Sequence, residues 1–243
     1  MLKGAIFDLG GTLIHLTVSW DKVREWRVEA ILEQLRSQGV TLDRNYVKQE
    51  YLRLHDEESE YSDRTLEEID AATTFTRLLD RLKIKEAQRP PMADLVERSF
   101  ELEVDSWVLF PGVEAMLQQV RGMGLKVGVL SNAMSDWAIK EILQRRGLTR
   151  YLDSVLTSAA MGIRKPRPEP FHEILRLLNL QGCEAVMVGD SKEADVAGAK
   201  PLGIRAIQVV FDKRDDDDEP DPDISVSTIS DIVPAIKQIA STC

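Results

Sequence analysis

With only two cysteines in 243 residues, Cys183 and Cys243, the chain can build neither a disulfide framework nor a cysteine zinc site. That scarcity fits a reducing cytoplasm. No apolar run approaches the roughly 20 residues needed to cross a bilayer. The apolar stretch within residues 1–7 is too short for a signal peptide, because Asp8 ends it at once. Basic residues are outnumbered, 31 Lys and Arg against 41 Asp and Glu, for a net charge of −10. A deficit of that size speaks against a nucleic-acid binder, which needs clustered cations to neutralise phosphates. Histidine is rarer still: His15, His55 and His172 are scattered, without metal-ligand spacing, and only His15 falls near the segments that matter below. What remains is an ordinary globular composition, 43% hydrophobic and 30% charged. An anionic substrate would need a local positive pocket, supplied by metal and lysine.

Two textures divide the chain. Residues 2–9 read as a buried strand ending at Gly10-Gly11. From about residue 19 to 105 the apolar spacing is helical and glycines are few. Ser19 caps a first helix running to Gly39, and Asp43 caps a second through Tyr46, Val47, Tyr51 and Leu54. Thr65-Leu66-Glu67-Glu68 has the form of a capping box opening a third, and Pro90-Pro91 opens a fourth that ends near Asp105. No strand signal interrupts these four helices, so they read as an inserted cap.

After Phe110-Pro111-Gly112, strands at about 125–130, 152–156, 185–188, 205–210 and 224–226 alternate with helices. Such alternation predicts an α/β fold with a parallel sheet covered on both faces. Ligands of such sheets bind at the carboxyl ends of the strands. Asp8, Ser131 and Asp190 each fall at a predicted strand end, and Lys165 lies in the loop after another. Residues 215–223, with seven acidic residues and two prolines, read as a solvated loop. Gly122-x-Gly124 precedes a strand and reads as a turn.

Phe7-Asp8-Leu9-Gly10-Gly11-Thr12-Leu13, Leu130-Ser131-Asn132, Gly162-Ile163-Arg164-Lys165-Pro166 and Val188-Gly189-Asp190-Ser191 through Asp195 resemble the four ordered motifs of the haloacid dehalogenase (HAD) superfamily. The likeness is to its phosphatase branch with a helical cap after the first motif. It implies a Rossmann-like parallel sheet core at residues 1–15 and 109–243 and a four-helix cap at 16–108, with hinges near 14–18 and 105–112. It also implies a Mg²⁺-dependent hydrolase of a small phosphorylated metabolite. Asp8 would be the nucleophile forming an aspartyl-phosphate. Asp8, the Gly10 carbonyl and Asp190 would hold Mg²⁺, with Asp195 in support. Lys165 would pair with Asp8 and the phosphate. Ser131, with the backbone N–H groups of Thr12 and Asn132, would bond the transferred oxygens.

One departure matters. HAD phosphatases normally carry a second Asp two residues after the nucleophile, as general acid and base, and this chain has Gly10 there. Such assistance is typically worth 10²–10⁴-fold. Gly10 therefore leaves other readings open: a bias towards good leaving groups, a 2-haloacid dehalogenase, or a phosphonate hydrolase using Lys22, Lys48, Lys83 or Lys85. A fold retained for binding alone is a further possibility. The Asp8–Thr12 turn also resembles the phosphate-binding turn of actin-like sugar kinases, though Lys165 and Asp190 arrive in the HAD order.

Overall fold

In the computed structural model, residues 1–211 and 220–242 are described. The central strand β1 (Gly4–Phe7) is buried at every position and leads into a turn and a short strand β2 (Ile14–Leu16). Four helices follow, α1 (Trp20–Ser37), α2 (Arg44–Thr65), α3 (Ala71–Arg81) and α4 (Met92–Ser106), and then β3 (Trp107–Leu109). The rest alternates: α5 (Val113–Gly122), β4 (Lys126–Ser131), α6 (Asp136–Arg145), β5 (Ser154–Thr157), α7 (Ser158–Met161), α8 (Pro168–Leu178) and β6 (Ala185–Gly189). A π-turn at Lys192–Val196, the short α9 (Ala197–Ala199), β7 (Arg205–Val209), β8 (Ile224–Val226) and α10 (Ile229–Thr242) close the chain.

Six strands form one parallel sheet in the order β5-β4-β1-β6-β7-β8. Side-chain alternation along β1 feeds two cores: Ala5 and Phe7 join Val186 and Val188 on one face, and Ile6 joins Met187, Phe171 and Ile174 on the other. β1 lies between β4 and β6, where the strand order reverses, so the loops after these three strands meet. Among the described residues, no helix is long and apolar enough to cross a membrane.

Local capping chemistry sets several helix starts. Ser19 and Asp43, as expected, and also Ser135 each accept a backbone N–H three residues on. The third helix departs from expectation. Thr65 ends α2 instead of opening α3, Leu66 turns left-handed with φ 58°, and α3 starts after Asp70, whose side chain accepts from the Thr73 N–H at 2.7 Å. The reason is tertiary. The link 66–71 pairs with core loops: Arg164 N–H donates to the Leu66 carbonyl (2.9 Å), Glu68 N–H to the Gly162 carbonyl (2.9 Å) and Ala71 N–H to the Met134 carbonyl (2.7 Å).

The segments expected to act as hinges are also ordered otherwise than the sequence suggests. β2 and β3 pair antiparallel, Ile14 opposite Leu109 and Leu16 opposite Trp107, so the helical insert is entered and left through a two-stranded ribbon. The strand expected over 2–9 is confined to Gly4–Phe7, and the helical segment after Asp190 begins as a π-turn. Of the acidic run, residues 215–219 lie outside the described residues, as does Cys243.

Candidate active site

Lys165 is the hub of the strand-end cluster. It follows α7 and joins Pro166 through a cis peptide bond. Its ammonium is buried and donates to Asp8 Oδ1 (2.8 Å), Asp195 Oδ1 (2.6 Å) and the carbonyl of Leu130 (2.8 Å). Asp8 stands directly after β1, with its N–H donating to the Val188 carbonyl at 2.9 Å. Asp190 directly follows β6, and one carboxylate oxygen from each of Asp8, Asp190 and Asp195 lies within 4.8 Å of the others. Asp195 enters from the π-turn, where its Oδ2 accepts the Ser191 N–H at 3.1 Å.

Two glycines make this crowding feasible. A Cβ on Gly189 would come 2.1 Å from Asp195 Oδ2, and one on Gly11, where φ is +77°, 2.6 Å from Asp190 Oδ2. Gly10 differs. Its φ lies outside the left-handed region, and a Cβ there would meet only the Trp107 indole, at an ordinary 3.5 Å.

The electrostatics follow from the geometry. Burial pushes the Asp8 carboxyl up to about 7, opposed by the Lys165 ammonium and reinforced by Asp195 and Asp190. Burial disfavours the charged form of Lys165, but Asp195 and Asp8 more than offset this and hold its pKa above the ordinary value. Lys165 pairs directly with Asp8 and Asp195, and the Asp190 carboxylate joins these two within 4.8 Å. Three carboxylate oxygens gathered this closely form an all-oxygen donor set of the kind that suits Mg²⁺.

The remaining sequence candidates take distinct places. Ser131 ends β4, is buried, and lines the cavity above Asp8. Asn132 also lines the cavity, and its side chain grips the Lys165 backbone twice: Nδ2 donates to the carbonyl (3.0 Å), and Oδ1 accepts the N–H (2.9 Å). Thr12 is fully buried and does not line the cavity. Its hydroxyl donates to Asp8 Oδ2 at 3.4 Å, and its N–H turns back to the Leu9 carbonyl at 3.3 Å. Thr12 thus buttresses Asp8 through its hydroxyl. His15 packs against the Phe110 ring, 4.8 Å between centroids, and does not line the cavity. Neither do Lys22, Lys48, Lys83 or Lys85, the lysines that a phosphonate-hydrolase reading would call on.

Over this floor lies a cavity of about 620 Å³, roofed by helix residues that the motifs did not reveal. Arg27 of α1 is buried, bonds Glu103 of α4 and the Tyr51 hydroxyl (3.2 Å), and lies over the Phe100 ring at 4.1 Å. Glu58 of α2 accepts from the Thr74 hydroxyl (2.6 Å) and from Arg77 (2.9 Å). Trp107 forms a wall beside Gly10, and its indole N–H donates to Glu103 at 3.3 Å. A signal for Arg27 was present: it sits on the same α1 stripe as Val23, Ile31 and Leu35, a charge among buried apolar positions.

Comparison with known proteins bears on this arrangement. A model of the haloacid dehalogenase-like hydrolase family matches residues 2–203. The chain is 34% identical to a phosphoserine phosphatase of Thermus thermophilus over 174 residues, 71% of this chain and 70% of the relative. It is 28% identical to a glyceraldehyde 3-phosphate phosphatase of Methanopyrus kandleri over 232 residues, 92% and 93% of the two chains. It spans about half the length of other curated relatives. Among solved structures, a 2-haloacid dehalogenase of Pseudomonas syringae superposes with a TM-score of 0.72 at 25% identity, covering 98% of this chain and 99% of that one.

Proposed function

The chain belongs to the haloacid dehalogenase-like hydrolases, and on that premise we propose that it is a phosphatase of a small phosphorylated metabolite, with Asp8 as nucleophile. The observation that carries the reading is the buried Asp8–Lys165–Asp195 contact, with Asp190 beside it, at the end of the central strand. A lone strand-end carboxylate is a turn residue; one bonded to a buried lysine under a cavity is built for chemistry. The two phosphatase relatives, named for phosphoserine and glyceraldehyde 3-phosphate, support a small substrate. So does the cavity of about 620 Å³.

Asp8 attacks phosphorus and the bond to the leaving oxygen breaks, giving an aspartyl-phosphate. Position 10 offers no carboxyl, so the leaving oxygen takes its proton from solvent water, which becomes hydroxide. A second water then attacks phosphorus and gives its proton to that hydroxide as the bond from phosphorus to the Asp8 oxygen breaks, releasing inorganic phosphate and restoring Asp8. Lys165 holds the Asp8 carboxylate in place and faces the incoming charge, and Ser131 offers a hydroxyl to the transferred oxygens. Asp8, Asp190 and the Gly10 carbonyl would hold Mg²⁺, with Asp195 in support through Lys165. Bound there, the ion would screen carboxylate from phosphate and stabilise the charge of the transition state. Residues 1–15 and 109–243 form the catalytic core in this reading, and residues 16–108 the cap.

Gly10 and the likeness to the Pseudomonas enzyme favour one alternative, carbon–halogen cleavage, in which the halide departs without a proton. A screen of aryl, acyl and sugar phosphates against 2-haloacids, with and without Mg²⁺, separates the two. We expect Mg²⁺-dependent phosphate release, lost on the order of 10⁴-fold in Asp8→Asn. Halide release with no phosphate release would overturn the phosphatase reading.

A further inference from the structure

The link between α2 and α3 does more than connect two helices. Its backbone pairs antiparallel with the loop that ends at the site lysine, Glu67 opposite Ile163, through the Arg164–Leu66 and Glu68–Gly162 hydrogen bonds, each 2.9 Å. The Glu68 side chain, 8% exposed, touches the stretch that leads to Lys165 directly and the loop after Ser131 through Ser158. Glu68 Oε2 accepts from the Ser158 hydroxyl at 2.6 Å and lies 3.4 Å from Arg164 Nε. The Ser158 hydroxyl in turn accepts the Ala133 N–H at 2.8 Å, just beyond Ser131 and Asn132. Asp63 adds a second contact to Arg164, at 3.3 Å. Arg164 is the residue before Lys165, and Asn132 grips Lys165 from the other side.

We propose that residues 66–71 form a latch in which Glu68 is a positioning residue: while Glu68 is docked on Ser158 and Arg164, the Ser131 and Lys165 loops stand in register over Asp8, and when it leaves they loosen together. In this proposal the element, hydrogen-bonded to both loops, alternates between a docked and a released state and so couples the helical insert to the placement of Lys165. The kinetic consequence rests on the phosphatase reading; the structural one does not.

Two measurements on the full chain test the latch. In hydrogen exchange, Glu68→Ala should speed the amides of 64–72 and of 160–167 together, by about tenfold or more, and leave α8 unchanged. With p-nitrophenyl phosphate and Mg²⁺, kcat should fall on the order of 10–10²-fold while KM stays within about threefold. Glu68→Gln, which keeps an acceptor for the Ser158 hydroxyl, should recover most of both. Ser158→Ala removes the core end of the same bond and serves if Glu68→Ala does not fold. Protection of 160–167 at the wild-type level in a folded Glu68→Ala, or an unchanged kcat, would overturn the proposal. If the wild type hydrolyses no phosphate ester, the phosphatase reading fails by itself, and the paired exchange of the two segments still decides whether the latch exists.

Discussion

The floor of the cavity sets Asp8 among charges 157 residues or more further along the chain, whereas its roof takes its charges from neighbouring helices of one insert. On the floor, Asp8 and Asp195 share the Lys165 ammonium, with the Asp190 carboxylate drawn in within 4.8 Å. On the roof, Arg27 is matched by Glu103, and Glu58 by Thr74 and Arg77. Buried charges paired one to one need nothing further, whereas carboxylates gathered this closely repel one another unless a cation joins them. In the proposed phosphatase the floor does the chemistry and the roof gives the shape.

The largest test of that division removes the Lys165 ammonium from the floor. Lys165→Met leaves Asp8 and Asp195 facing each other in a buried site, and should lower stability by about 3–5 kcal/mol in urea unfolding without divalent ions. Mg²⁺ should restore part of that loss, and an unchanged unfolding midpoint would break the comparison. Next in size is the wild type itself. Mg²⁺ at about 100 times its dissociation constant should add about 2.7 kcal/mol, seen as a raised Tm that EDTA reverses. Asp190→Asn should abolish that rise; if it does not, the ion binds elsewhere. The smallest effect belongs to the roof. Asp70→Ala removes the α3 cap and should cost about 1 kcal/mol while Mg²⁺ still raises the Tm as in wild type. Loss of the Mg²⁺ response in that variant would show that roof and floor are not separable.

The same division governs what could be read from the chain before its structure. Floor residues sit in short runs at the ends of buried strands, so residue type and order sufficed to bring Asp8, Lys165, Asp190 and Asp195 together. Caps at Ser19 and Asp43 are equally local and were legible. Thr65 carried as good a local signal, yet the pairing of residues 66–68 with the Lys165 loop overrode it. The ribbon of Ile14–Leu16 with Trp107–Leu109 was unreadable for another reason: three-residue strands with partners far along the chain leave no periodic trace. The roof lies between these cases. A charge on the apolar stripe of α1 was visible at Arg27, but nothing local named Glu103 as its partner.

Gly10 and Gly11 are adjacent and identical, yet only one of them is compulsory. Position 11 admits no side chain because Asp190 stands in the way and the backbone is left-handed. Position 10 is under no such constraint, since a methyl group would merely rest on an indole. The absent carboxyl is therefore not a concession to packing, and Gly10→Asp can restore it without first rebuilding the turn. A gain concentrated on alkyl esters, whose departing alkoxides need a proton more than phenoxides do, would identify proton delivery as what this chain forgoes.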